Sequence, residues 1–405
     1  MQIRTSYSLL DINKGLGFTF FLVIFWGYIL YSFALLFELT PPIFGGFFGP
    51  FSAIACILFI ATSLGTIKLS YKASPLYAFF IFSAFSLASI TTLVSFFYVE
   101  LKPATIQSLE MLIFWIAMYC IGFYLTLVDK KFIYKVSIAL SILFLLYAVF
   151  YLISTGKYML PFGTYEIENE NITGYQSLAR NIMVVSFLVI AFTQRKITQL
   201  FYTLVFTFIL FVIGSRSEFY AFIIAIISYQ CILAVKVKSN FIGLIILLLL
   251  TISIFITNYD VIMSSRQLNV ANIDTDSSWI LRNQMREFAQ NTIVTHPILG
   301  SFGDHLRFSG NNSIGTYSHN VLSAYVNYGL VFFILYLFLC YVPMLHSAYH
   351  FKKNTHNQDW AFCFLITLAI AFLITLTKPV FWPATYLAWG IFLGTLYKSK
   401  FYKES

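Results

Sequence analysis

The stretch FIYKVSIALSILFLLYAVFYLI, residues 132–153, decides what kind of protein this is. It runs 22 residues with one charge, Lys135, and has no glycine or proline. As an α-helix it is long enough to cross a hydrocarbon layer of about 30 Å. A barrel strand would be about ten residues long and would alternate polar with apolar, which this stretch does not. Inside lipid no water is present to satisfy the backbone, so a spanning segment must bond within itself, and this again selects helix. The rest of the chain has the same character. Its 405 residues are 59% hydrophobic and 10% charged, with a mean hydropathy of +0.81, whereas a soluble domain is about a quarter charged. The sequence therefore predicts an all-α, polytopic membrane protein.

Twelve spans are expected, at residues 16–37, 51–67, 75–99, 106–127, 132–153, 177–194, 198–214, 219–235, 240–257, 321–343, 360–377 and 381–397. They divide the chain into a first membrane block (1–257), one large loop (258–320) and a second membrane block (321–405). With the N-terminus in the cytoplasm, 16 of the 25 basic residues fall at inner loops and nine at outer ones. That bias expects both termini on the cytoplasmic side. The net charge of +9 sits in short loops, where it sets topology and does not point to nucleic acid. The first apolar run is too long for a cleaved signal and lacks a small-residue cleavage site. All five cysteines fall within apolar runs with no CxxC pair, which reads as inert thiols.

The kind of basic residue differs between the two faces. Of 17 lysines, 14 face inward; of eight arginines, six face outward. A lysine is a point charge adequate for anionic lipid heads, while an arginine grips phosphate or carboxylate through two parallel bonds. An outer face with six arginines, Arg180 among them, reads as built to hold an oxyanion. The alternative is pairing with outer acids such as Glu166, Glu218, Asp274 and Asp276. Arg216 is the most informative. The stretch VIGSRSEFYAF (212–222) sets Ser215, Arg216, Ser217 and Glu218 between two apolar runs with no room for a loop. Charge at such depth usually faces a cavity; the competing reading is an internal Arg216–Glu218 pair that marks a helical hairpin.

Within the large loop, SSWILRNQMREFAQNTIV (277–294) reads as a helix. Ser277 or Ser278 can cap it, Trp279, Met285, Phe288, Ala289 and Ile293 give it an apolar face, and Pro297 and Gly300 follow its end. Arg282 and Arg286 stand four apart, hence on one face. Two cations on one stripe repel, so an anion between them is the natural complement; a solvated helix face is the alternative. At the loop's exit, GTYSHNVLSAYVNYGLVFF (315–333) places His319 after Tyr317 and Ser318 and before Asn320, where the chain re-enters the membrane. An imidazole there can act as a general base or as an interfacial anchor, and Asn320 could orient it or bind a sugar hydroxyl. His296 precedes a helix-ending proline, and Asp304 with His305 lacks the third ligand of a metal site. No glycine-rich phosphate loop occurs, and no outer-face acidic pair of the kind used by metal-dependent membrane glycosyltransferases. No metal or cofactor is expected, and any energy source must lie in the substrate.

The short motifs SRSE (215–218), LRNQMREF (281–288), HPILGSFG (296–303) and YSHNVLSAYVNYGL (317–330), set among a dozen spans with a large outer loop, resemble the bacterial O-antigen ligase/polymerase superfamily. The sharp part of the likeness covers roughly residues 210–335. The resemblance implies an inner-membrane glycosyltransferase whose large loop and active site face the periplasm. Its donor would be an undecaprenyl-diphosphate-linked saccharide. By position, Arg216 and Arg282, with Arg286 beside them, match diphosphate-binding arginines, and His319 matches the proposed base on the acceptor; Asn320, Glu218, Arg180 and Tyr317 would support them. A polymerase takes a sugar on another lipid-linked repeat as acceptor, and a ligase takes lipid A–core. The family's ligases are expected to follow His-Asn with nine residues and a GxxG. Here eight residues separate Asn320 from Gly329 and Phe332 replaces the second glycine, which is closer to polymerases. Membrane lipids and a chain-length regulator protein are the implied partners. A saccharide flippase is the alternative from another class, but such transporters usually carry charge near mid-span.

Overall fold

The computed structural model describes residues 9–40, 50–157, 159–161, 166–167, 170–171, 174–236, 245, 277–308 and 317–402. The expected span 240–257 lies, apart from residue 245, outside the described residues, as do Arg266, Asp274 and Asp276. The helices in chain order are α1 (Leu10–Leu36), α2 (Pro50–Thr62), α3 (Gly65–Ala73), α4 (Pro75–Ser95), α5 (Lys102–Leu125), α6 (Lys131–Thr155), α7 (Tyr175–Phe192), α8 (Lys196–Ile213), α9 (Arg216–Lys236), α10 (Ser277–Thr295), α11 (His305–Phe308), α12 (Leu322–Lys353), α13 (Gln358–Leu376) and α14 (Ala384–Phe401). Among the described residues, nine of these are long and apolar enough to cross a membrane: α1, α4 to α9, α12 and α13. The expected span 51–67 is instead a pair, α2 and α3, bent by 63°. Strand structure among the described residues is limited to one antiparallel pairing, Glu166 with Asn171 and Ile167 with Glu170.

Helix α14 departs from the apolar rule for a physical reason. Its threonines, tyrosines, glycines and lysines dilute its hydropathy, yet every residue from Ala384 to Thr395 is buried. It faces protein and not lipid, so a lipid-like surface is not required of it. It packs along α5 with backbones in close approach: a Cβ added at Gly390 would run into the Tyr119 carbonyl, and one at Gly122 into the Leu387 carbonyl. Small residues that let helices close up are the usual basis of association in membranes, where hydrophobic driving force is lacking. Trp115 of α5 stacks on Tyr386 of α14 at 4.3 Å between centroids. About three quarters of the apolar window is buried in α5, α7 and α13, against 22% in α6. The centre of the bundle is therefore α5, α7, α13 and α14, with α6 on the rim.

One end of the bundle gathers the starts of α5, α7, α9, α12 and α14 with the ends of α8 and α13. The opposite end is marked by Lys130, whose ammonium lies 2.8 Å from Asp359, and by Lys398, 2.6 Å from the same carboxylate.

Candidate functional site

A cavity of about 210 Å³ opens at the first of these ends, and its wall includes Gln107, Gln176, Ser177, Arg180, Tyr317, His319, Lys378 and Trp382. Gln107 comes from the first turns of α5, Gln176, Ser177 and Arg180 from the start of α7, Tyr317 and His319 from the residues that lead into α12, and Lys378 and Trp382 from the short connection between α13 and α14. Arg180 lies one turn into α7 and is buried; its Nε donates to the Asn181 amide oxygen at 3.2 Å. Asn181 in turn donates to the Ile24 carbonyl at 3.1 Å. Ile24 lies in a π-helical turn of α1, Leu22–Gly27, where the wider hydrogen-bond spacing disturbs the ordinary ladder. The irregular turn in α1 thus anchors the residue that holds Arg180.

The hairpin between α8 and α9 has only two connecting residues, Gly214 and Ser215, as the sequence demanded. Gly214 adopts φ 87°, a left-handed conformation that closes α8 and that a side chain would strain. Glu218, fully buried in the first turn of α9, forms an ion pair with Lys378 at 2.6 Å. Its other oxygen accepts from Ser217 at 2.7 Å and from Ser215. Lys378 also donates to the Gln176 amide oxygen at 3.0 Å and lies over the Trp382 ring. A buried ammonium is tolerated only with such partners. Glu218 is thus paired with a lysine from a distant part of the chain.

The entry to α12 supplies the imidazole. Tyr317 packs against Phe381 at 5.0 Å and His319 at 5.6 Å. The Asn320 amide oxygen accepts from the Ser318 hydroxyl at 2.8 Å and the Leu322 amide at 3.0 Å, so it shapes the turn that starts α12. Ser323 then accepts from the Val380 amide at 2.7 Å, tying this turn to the linker that carries Lys378. Burial, together with the charges of Arg282 and Lys378, lowers the pKa of His319 to about 4. The ring is neutral near pH 7 and can accept a proton. Burial pushes the Tyr317 phenol up to about 12, with Gln107 opposing the rise.

The loop helix α10 forms where the apolar spacing placed it, with Met285 and Ala289 buried. Its two arginines part company: Arg282 is half-buried and its charge acts on His319, whereas Arg286 is exposed. Arg216 is half-buried at the first residue of α9, where its charge acts on Tyr220. Of the arginines singled out from the sequence, Arg180 lies on the cavity wall; Arg216, Arg282 and Arg286 do not.

After α10 the chain docks onto α12 by exchanging hydrogen bonds with it. In a regular helix the Leu330 amide would bond the Val326 carbonyl. Here Leu330 donates to Ile298 (2.9 Å) and Val326 accepts from Ser301 (2.7 Å), while the Tyr325 hydroxyl reaches the Pro297 carbonyl at 2.6 Å. The break is at Gly329, with φ 80° and ψ 178°. A Cβ there would stand 2.7 Å from the Ile298 carbonyl and 2.8 Å from that of Leu299.

Two features, Lys378 on the wall and His305 behind Tyr317, escape the sequence reading. The signal for Lys378 is a charge set between two apolar runs and next to Pro379. His305 had been set aside with Asp304 as a weak metal pair. It is buried, 5.5 Å edge-on from Tyr317, and burial lowers its pKa to about 4 against the opposing effects of Asp304 and Asn327. Asp304 instead accepts from the Thr292 hydroxyl at 2.6 Å. Among the described residues no three His, Cys, Asp or Glu side chains gather as a metal site. No protein-family model matches the chain, and no curated protein matches it.

Proposed function

We propose that the chain is a membrane glycosyltransferase that takes a saccharide from a lipid diphosphate, and that it is an O-antigen repeat-unit polymerase. The observation that carries the reading is the cavity wall itself: a forked cation (Arg180), an ammonium (Lys378) and a neutral imidazole (His319) share one hollow. The resemblance in motifs 215–218, 281–288, 296–303 and 317–330 supplies the substrate class.

In this scheme Arg180 and Lys378 hold the diphosphate, with Arg282 close enough to add its field. His319 takes the proton from an acceptor hydroxyl as the acceptor oxygen bonds to the anomeric carbon. The bond from that carbon to the phosphate oxygen breaks with its electron pair on the lipid diphosphate. Negative charge on the leaving group is greatest in the transition state, so fixed cations stabilise that state most. Attack from the side opposite the leaving group inverts the anomeric carbon. Burial is the larger cause of the depressed His319 pKa; an incoming anion offsets the part that comes from Arg282 and Lys378, and to that extent donor binding raises the basicity of the ring. Gln107, Gln176 and Tyr317 offer neutral hydrogen-bonding groups for sugar hydroxyls.

The test is extraction of membranes from cells lacking only this chain. Loss of long glycan, with single repeats still attached to lipid A–core, is the expected result. Bare core with free lipid-linked polymer would instead identify a ligase, and lipid-linked repeats trapped on the inner face would identify a transporter.

A further inference from the structure

A second cavity, about 440 Å³, lies at the opposite end of the bundle, walled by the start of α6, the end of α7 and the connection after it, the start of α13 and the end of α14. Four lysines line it: Lys130, Lys131, Lys135 and Lys398. Two of them share one carboxylate. Lys130 is buried, with its ammonium 2.8 Å from Asp359 and 3.1 Å from the Thr126 carbonyl, and Lys398 is 2.6 Å from the other Asp359 oxygen. This triad carries two positive charges against one negative. With Lys131, Lys135 and the wall residue Asp129 included, the region holds four cations and two carboxylates, a net +2. Burying an unbalanced charge is costly, and the cost falls if an anion closes the site. Tyr134 and Phe192 supply apolar and hydroxyl surface beside the cations, with Tyr134 bonded to Thr193 at 3.1 Å. Basic hollows between membrane helices at headgroup depth are suited to lipid phosphates.

We propose that this cavity binds the phosphate of an anionic phospholipid headgroup. Lys130 and Lys398, held by Asp359, form the fixed floor. Lys131 and Lys135, both exposed and on the same helix face four residues apart, close over the phosphate from the rim. The site is separate from the His319 cavity and does not depend on the reaction assigned to that cavity.

The test is thermal unfolding of the purified full chain in neutral detergent, titrated with phosphatidylglycerol, phosphatidylcholine or inorganic phosphate. Phosphatidylglycerol is expected to raise the melting temperature saturably and phosphatidylcholine to leave it unchanged. In the Lys131→Gln/Lys135→Gln variant the half-saturating concentration should rise about thirtyfold, from two lost lysine contacts. Both positions are exposed, so the variant should melt like the parent without lipid. As a second check, Lys135→Gln alone should give an intermediate shift. Stabilisation by inorganic phosphate to the same extent would support the phosphate site and assign it to a free anion instead of a lipid. Equal stabilisation by phosphatidylcholine, or an unchanged titration in the double variant, would overturn the proposal.

Discussion

Replacing Glu218 with glutamine is the most revealing single change. The side chain is fully buried and its partner Lys378 is nearly so, with 2.6 Å between the charged atoms. Glutamine keeps the volume and can still accept from Ser215 and Ser217, but it removes the carboxylate charge paired with the Lys378 ammonium. Breaking a buried pair from one side costs about 3–5 kcal/mol, because a buried charge is left behind. With entropy of unfolding scaled to 405 residues, that loss lowers the melting temperature by about 5 °C. Adding Lys378→Met removes the stranded charge, so the double variant should recover most of the stability while remaining inactive with a diphosphate donor. The assay is thermal unfolding of the four proteins of the cycle in one detergent, with the coupling energy taken from the cycle. Glu218→Gln melting within 1 °C of the parent, or a double variant at the sum of the two single losses, would refute the reasoning.

Other outcomes follow from the same geometry. Arg180→Lys should lose about a hundredfold in turnover of a lipid-linked saccharide, because lysine cannot fork, whereas Arg286→Ala, on an exposed face, should change it less than twofold; radiolabelled product formation measures both. His305 and His319 titrate near 4 in the folded chain against an ordinary 6.5, so the unfolded chain binds more protons between these values. The stability they contribute is full above about pH 6.5 and is lost as the pH falls through about 4, by about 3 kcal/mol for each ring; melting curves across that window should flatten in the His305→Gln variant. Gly329→Ala should destabilise by about 2 kcal/mol or more through its left-handed φ and the crowded carbonyls, and should expose residues 296–303 to protease.

The membrane architecture was legible because lipid imposes one rule on every spanning segment. The stretch 132–153 became Lys131–Thr155 and 198–214 became Lys196–Ile213. The rule weakens where a helix faces protein. The expected span 381–397 is the helix Ala384–Phe401, whose closeness to α5 depends on glycines that hydropathy does not weigh. It weakens also where a span bends, as at residues 63–64 between α2 and α3. The site was legible in part. Tyr317, His319 and Arg180 reach one wall, and the tight turn at Ser215 was written in its neighbours. What local spacing could not reveal was the Lys378–Glu218 pair, because its partners are brought together only by the packing of α9 and α13. Nor could it tell Arg282 from Arg286. Four-residue spacing puts both on one side of a helix, but the direction that side faces is set by how the loop docks on Gly329.

The central claim is that Arg180, Lys378 and His319 act on one lipid diphosphate. Turnover by the purified chain in nanodiscs, with a defined undecaprenyl-diphosphate-linked repeat unit as both donor and acceptor, tests it most directly. The account predicts longer lipid-linked glycans from the parent, at least a hundredfold slower growth in His319→Ala with donor still bound, and no donor binding when Arg180 and Lys378 are both made neutral. Equal rates in parent and His319→Ala, or undiminished donor binding without the two cations, would contradict it.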